Sequence, residues 1–196
     1  METSAVVDNH GCVLRIPGTG VALNIPPNAF YDEGEEHNVT LRILRHQFID
    51  ESSFEDLSTV MVEILPNKLT LLEDARLILP HCLEIQNPEE CLVQVFESHH
   101  DPETEPLWKD ISQSVSYTLR ESFCEIFLKS FCWVKYKLPT GERVKAKKIV
   151  VYATGNVPAP FQGHKCNRAT IDVGYHPDLP GKDKVHLAIS FFFLYI

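Results

Sequence analysis

The chain has no segment that reads as an address or a membrane anchor. Its start, Met1-Glu2-Thr3-Ser4-Ala5-Val6-Val7-Asp8, lacks the basic opening and apolar core of a secretory signal. No apolar run approaches the roughly 20 residues a helix needs to cross a bilayer. The longest, Phe191-Phe192-Phe193-Leu194-Tyr195-Ile196, is far shorter. The compartment expected from these absences is the cytoplasm, with any membrane association made through a partner. Positive charge is also short, since 18 Lys+Arg stand against 27 Asp+Glu for a net charge of -9. That balance argues against nucleic acid as a partner of the whole protein, because phosphate binding needs a basic face. Also missing are a Gly-x-Ser-x-Gly elbow, a Gly-rich phosphate loop, a His-Glu-x-x-His helix and any Cys-x-x-Cys pair. No ordinary active site, cofactor or metal is expected.

What is present is the balance of a globular protein. At 196 residues, 44% hydrophobic and 23% charged, the chain can bury a real core without disulfide or metal staples. Six cysteines (Cys12, Cys82, Cys91, Cys124, Cys132, Cys166) show no compact spacing and read as reduced thiols, mostly buried. The charge is split along the chain. Residues 1–134 carry 8 Lys+Arg and 23 Asp+Glu (8 - 23 = -15), and residues 135–196 carry 10 and 4 (10 - 4 = +6), which together give the -9 of the whole. An acidic body followed by a basic segment suggests two units.

Short alternating segments dominate the first 138 residues. Cys12 to Pro17 and Val21 to Ile25 flank Gly18-Thr19-Gly20 and read as a hairpin-like pair. Further strands are expected at Val39–Leu44, Val60–Ile64, Ala75–Leu79, Cys91–Phe96, Val115–Leu119, Cys124–Leu128 and Phe131–Tyr136. Thirteen prolines disfavour long helices. The expectation is an all-β, antiparallel β-sandwich over 6–138, a basic linker over 139–147, and a short, incomplete second β unit over 148–196 with an apolar tail. That second unit has candidate strands at Lys148–Ala153, Thr170–Tyr175 and Val185–Phe191. Its uncapped apolar ending suggests truncation or an alternative transcript end.

Gly11-Cys12-Val13-Leu14-Arg15-Ile16-Pro17-Gly18-Thr19-Gly20-Val21-Ala22-Leu23-Asn24-Ile25-Pro26-Pro27-Asn28-Ala29-Phe30 resembles the opening of the ZU-five domain. That family occurs in zonula occludens proteins, Unc-five netrin receptors, ankyrins and PIDD-type death-domain proteins. Leu57-Ser58-Thr59-Val60 resembles its Leu-Ser-Pro-Val strand with threonine for proline, and His81-Cys82 its later His-Cys pair. Trp108, after an acidic loop, also sits where the family often has a tryptophan. Residues from Lys147 to about Val173 are weakly similar to the start of a UPA domain. The resemblance implies a non-enzymatic protein–protein interaction module of a signalling or cytoskeletal adaptor.

It also implies one chemical alternative. Some PIDD-type members cut their own backbone within His-Phe-Ser, and here the matching place reads Ser130-Phe131-Cys132-Trp133. Cleavage between Phe131 and Cys132 would use the Cys132 thiol as nucleophile. Ser130 stands where the family has histidine, so no imidazole is expected beside the thiol. The structural alternative is that Phe131 and Trp133 pack and Cys132 is inert. His81-Cys82 points to opposite strand faces, and His99-His100-Asp101 reads as a solvated polar turn. Lys135, Lys137, Arg143, Lys145, Lys147 and Lys148 form a basic stretch suited to acidic lipid or an acidic protein. A solvated linker, or docking against the acidic first unit, explains the same charges.

Overall fold

Alternation at period two puts every second side chain on one sheet face, so each short apolar series has one face to bury. In a computed structural model, residues 1–31, 34–44, 59–100 and 104–138 are described with their side chains, and 144–147, 149–156, 168–177 and 185–192 as strand backbone. The first stretch of chain supplies β1 (Glu2–Val7), β2 (Cys12–Arg15), β3 (Ala22–Ile25), β4 (His37–Ile43), β5 (Val62–Leu65) and β6 (Thr70–Pro80). It continues with β7 (Leu83–Ile85), β8 (Gln94–Ser98), β9 (Lys109–Asp110), β10 (Tyr117–Leu119), β11 (Phe123–Ser130) and β12 (Trp133–Lys137). Then come β13 (Val144–Lys147), β14 (Ile149–Asn156), β15 (Arg168–Pro177) and β16 (Val185–Phe192).

The protein is all-β and built on two packed antiparallel sheets. One has six strands in the order β1-β4-β5-β12-β8-β9, and the other five in the order β10-β11-β6-β3-β2. β13 pairs with β7, and β14-β15-β16 form a separate three-stranded antiparallel sheet. Val144–Lys147 is therefore strand, inside the stretch expected as the 139–147 linker. β1, β7, β9 and β13 are additions to the segments expected from alternation. β1 escapes an apolar pattern because it is an edge strand whose only fully buried residue is Val7.

The expected hairpin is present as β2 and β3, with Leu14 opposite Leu23. Its turn needs glycine, since Gly18 and Gly20 have φ of 73° and 76°. Between them the Thr19 hydroxyl donates to the Ile16 carbonyl at 2.7 Å and accepts the Val21 N–H at 3.1 Å, so the one buried residue of an otherwise exposed turn has its polar group satisfied.

Inner faces meet in one apolar cluster. Val39, Leu41 and Ile43 of β4, Val62 and Ile64 of β5, and Val134 and Tyr136 of β12 face Leu23 and Ile25 of β3, Leu77 and Leu79 of β6, and Ile126 and Leu128 of β11. Tyr136 is fully buried, and its hydroxyl donates to the Leu79 carbonyl at 3.2 Å, tying β12 of one sheet to β6 of the other. Tyr136→Phe is expected to destabilise by about 1 kcal/mol and to lower the melting temperature by roughly 2–4 °C. Tyr136→Ala, which also opens a cavity, should cost about 3–5 kcal/mol. A Phe variant melting with the parent would show that the hydroxyl does not help join the sheets.

Candidate functional site

A row of paired residues crosses the outer face of the six-stranded sheet. In register, Glu2 lies opposite Arg42, Arg42 opposite Glu63, Glu63 opposite Trp133, and Trp133 opposite Ser98. Glu63 is 5% exposed, and a carboxylate so far from water must be answered. Its Oε1 accepts the Trp133 indole N–H at 2.9 Å, and its Oε2 pairs with Arg42 Nη1 at 3.1 Å. Arg42 Nε also reaches Glu2 at 2.6 Å. Beyond Trp133 lies His100, ring edge to face at 4.1 Å between centroids, with Nδ1 2.9 Å from Ser98 Oγ.

That register decides what meets on the opposite, core-directed face. Val134 lies opposite Glu97, so Glu97 shares the face of the core residues of β12. Two residues on from Glu97 comes His99, and two residues before Val134 comes Cys132, so by alternation all three are on this face. One donor atom each of Glu97, His99 and Cys132 lies within 4.8 Å of the others. His99 Nε2 is 3.3 Å from Glu97 Oε2, and Lys109 Nζ on β9 is 3.5 Å from Glu97 Oε1. His99 Nδ1 is buried, with no hydrogen-bond partner among the described residues.

Cys132 is fully buried, and its Sγ contacts the Ser130 carbonyl at 3.9 Å. Burial first, and the negative charge of Glu97 second, push its thiol up to about 12. The ionised fraction at pH 7 is then on the order of 10⁻⁵. Phe131 is also fully buried, its N–H donating to the Leu69 carbonyl and its own carbonyl accepting the Lys68 N–H, both at 2.8 Å. An imidazole stands beside the thiol after all. It comes from the end of β8, not from position 130, which corrects the expectation that none is nearby. His99 and His100 are likewise not a freely solvated turn, since His99 is 32% exposed and His100 packs on Trp133.

The basic stretch is distributed differently from a single patch. Lys135 Nζ rests 4.4 Å from the centroid of the Trp108 ring and 5.8 Å from that of Phe96, and Lys137 Nζ 5.8 Å from that of Phe96. Lys145 and Lys147 lie on β13, and nothing is described of their side chains. Arg143 and Lys148 lie outside the described residues. His81 is buried with both ring nitrogens against backbone: Nε2 is 3.0 Å from the Arg120 carbonyl, and Nδ1 accepts the Leu83 N–H at 3.3 Å. It serves the fold and is turned away from metal chemistry. Sequence reading missed Glu97 and read His99 as part of a solvated turn; the available signal was Glu97, a charged residue at an inward-facing position of β8.

Residues 3–99 match the family model described as the ZU5 domain. This part of the chain is a ZU5 domain. No curated protein matches the chain. ZU5 domains are protein-interaction modules as a family, and some cut themselves. The ZU5 match runs from β1 to His99, just past β8, while β9–β12 complete the same two sheets beyond it. His99 therefore lies at the end of the ZU5 match and Cys132 after it. Iodoacetamide under native, reducing conditions is expected to modify the partly exposed Cys12 and Cys91 first. Cys132 should lag them by roughly 100-fold or more, because it is buried and almost wholly protonated. Peptide mapping over time reads this, and a Cys132 that labels as fast as Cys12 would contradict the buried thiol.

Proposed function

We propose that the chain is a non-enzymatic protein-interaction module of a cytoplasmic signalling or cytoskeletal adaptor. The observation that carries this reading is the ZU5 match on a sandwich whose two sheets end side by side. β1 is the edge of one sheet and β2 the edge of the other, joined by the short turn at 8–11. On these edges Val6 is 64% and Val13 48% exposed, so apolar side chains flank backbone that can accept an added strand. The three strands β14–β16 are read as the UPA-like unit on resemblance alone. A contact with acidic lipid or protein through 135–148 is a secondary part of this reading, because Lys135 and Lys137 already rest on aromatic rings.

Val6→Asp and Val13→Asp are exposed changes expected to alter stability by no more than about 0.5 kcal/mol. Affinity purification from cytosol should lose the partners of the full chain with either variant and keep them with Cys132→Ala. Equal recovery with all three would rule out the edge strands as the docking surface.

A second reading is self-cleavage between Phe131 and Cys132. Two observations favour it: His99 beside the thiol, and the Lys68 N–H already on the Phe131 carbonyl. Cys132 Sγ would add to that carbonyl carbon as His99 takes the thiol proton, and the oxyanion would face the Lys68 N–H. The C–N bond would break as the proton reaches the Cys132 nitrogen, leaving a thioester that water hydrolyses. A buried thiol held near 12 weighs against this route. Under denaturing, reducing conditions the adaptor reading expects one species of 22.3 kDa. Two species, the second beginning at Cys132, would establish cleavage instead.

A further inference from the structure

We propose that Glu97, His99 and Cys132 form a binding site for one borderline-soft divalent metal, zinc in the first instance, with water as the fourth ligand. The inference is independent of the interaction-module reading. It rests on three donors of different chemistry that the sheet register brings together from β8 and the start of β12, with one donor atom of each inside 4.8 Å of the others. Carboxylate, imidazole and thiolate are the three side-chain ligand types of protein zinc sites, and three protein ligands plus water is the open form of such a site. Calcium and magnesium prefer all-oxygen sets, so sulfur and nitrogen turn this group away from them.

The geometry is already part-way to coordination. Metal–ligand bonds of about 2.0 Å to oxygen and nitrogen in a tetrahedron place those two atoms about 3.3 Å apart. Glu97 Oε2 and His99 Nε2 stand at 3.3 Å. Sulfur at about 2.3 Å from the metal belongs about 3.6 Å from either of them, so side-chain rotation of about 1 Å closes the set. Glu97 and His99 also line a cavity of about 270 Å³ with Leu107 and Lys109, which gives a metal and its water a way in.

Binding balances simply. The metal replaces the thiol proton, forming a metal–sulfur bond at Cys132 and releasing one proton to the buffer, and His99 binds as neutral imidazole. Glu97 meets the metal against one competitor, the ammonium of Lys109, which is 76% exposed and holds Oε1. A metal so placed clips β8 to the start of β12 and occupies Cys132 as a ligand, which withdraws it as a nucleophile.

The test is cobalt(II) titration of the reduced, chelator-treated 196-residue chain, read in the near-ultraviolet and visible. The expected result is one cobalt per chain, with a thiolate-to-cobalt band and the visible bands of four-coordinate cobalt, both bleached by added zinc. Glu97→Gln and Cys132→Ser should abolish or strongly weaken the signal. Because Cys132 lies in the core, the deciding variant is His99→Ala, at a partly exposed position where circular dichroism can confirm the fold. His99→Ala should weaken cobalt by at least roughly 10–100-fold, and Lys109→Gln should tighten it a few-fold. No thiolate band from folded chain would overturn the site. A band that survives His99→Ala would also overturn it, by placing the cobalt on another cysteine.

Discussion

The carboxylate of Glu63 is the constraint on which the six-stranded sheet depends. Burying a charge costs several kcal/mol unless it is paired and hydrogen-bonded, and Glu63 is 5% exposed in the middle of that sheet. Arg42 from β4 and the Trp133 indole from β12 answer it from its two sides. A slip of one residue in either neighbour would send the answering group to the other face and leave the charge alone. The Glu2–Arg42–Glu63–Trp133 row therefore holds four strands in one register.

Everything on the reverse face inherits that register. With Trp133 outward, Val134 and Tyr136 turn inward and close the seam to β6, where the Tyr136 hydroxyl meets the Leu79 carbonyl. The same parity turns Cys132 inward, beside the inward-facing Glu97 and His99 of the adjoining strand. A carboxylate, an imidazole and a thiol are thus assembled at one end of the sandwich by the demands of a buried charge at its centre. The thiol has two open chemical uses, as ligand or as nucleophile. Its burial beside Glu97 favours the first, since a metal stabilises thiolate where solvent does not.

Much of the fold is legible in the residues. Val39, Leu41 and Ile43 alternate with Thr40 and Arg42, and β4 buries that apolar set. Gly18-Thr19-Gly20 marks its hairpin because no other residue takes those φ angles as cheaply. The opening from Gly11 to Phe30 reads as ZU-five, and the family match over 3–99 agrees. Less is legible where a strand has little to bury: β9 is only Lys109–Asp110, and β1 buries Val7 alone. The site is harder still. Cys132 stands out by its sequence neighbours, but its partners lie more than thirty residues away, and only strand pairing brings them in. Ser130 at the family's histidine position suggested a thiol with no base, whereas His99 reaches it from another strand.

The direct test of this dependence is whether His99 and Cys132 are neighbours in solution. An isotope-edited NOESY spectrum of the reduced chain, in metal-free buffer, should show cross-peaks between the His99 ring protons and the Cys132 β-protons. It should also show the Trp133 indole N–H beside the Glu63 side chain. Absence of the His99–Cys132 peaks in a spectrum that shows the Trp133–Glu63 contact would contradict the claim that the buried carboxylate's register assembles the site.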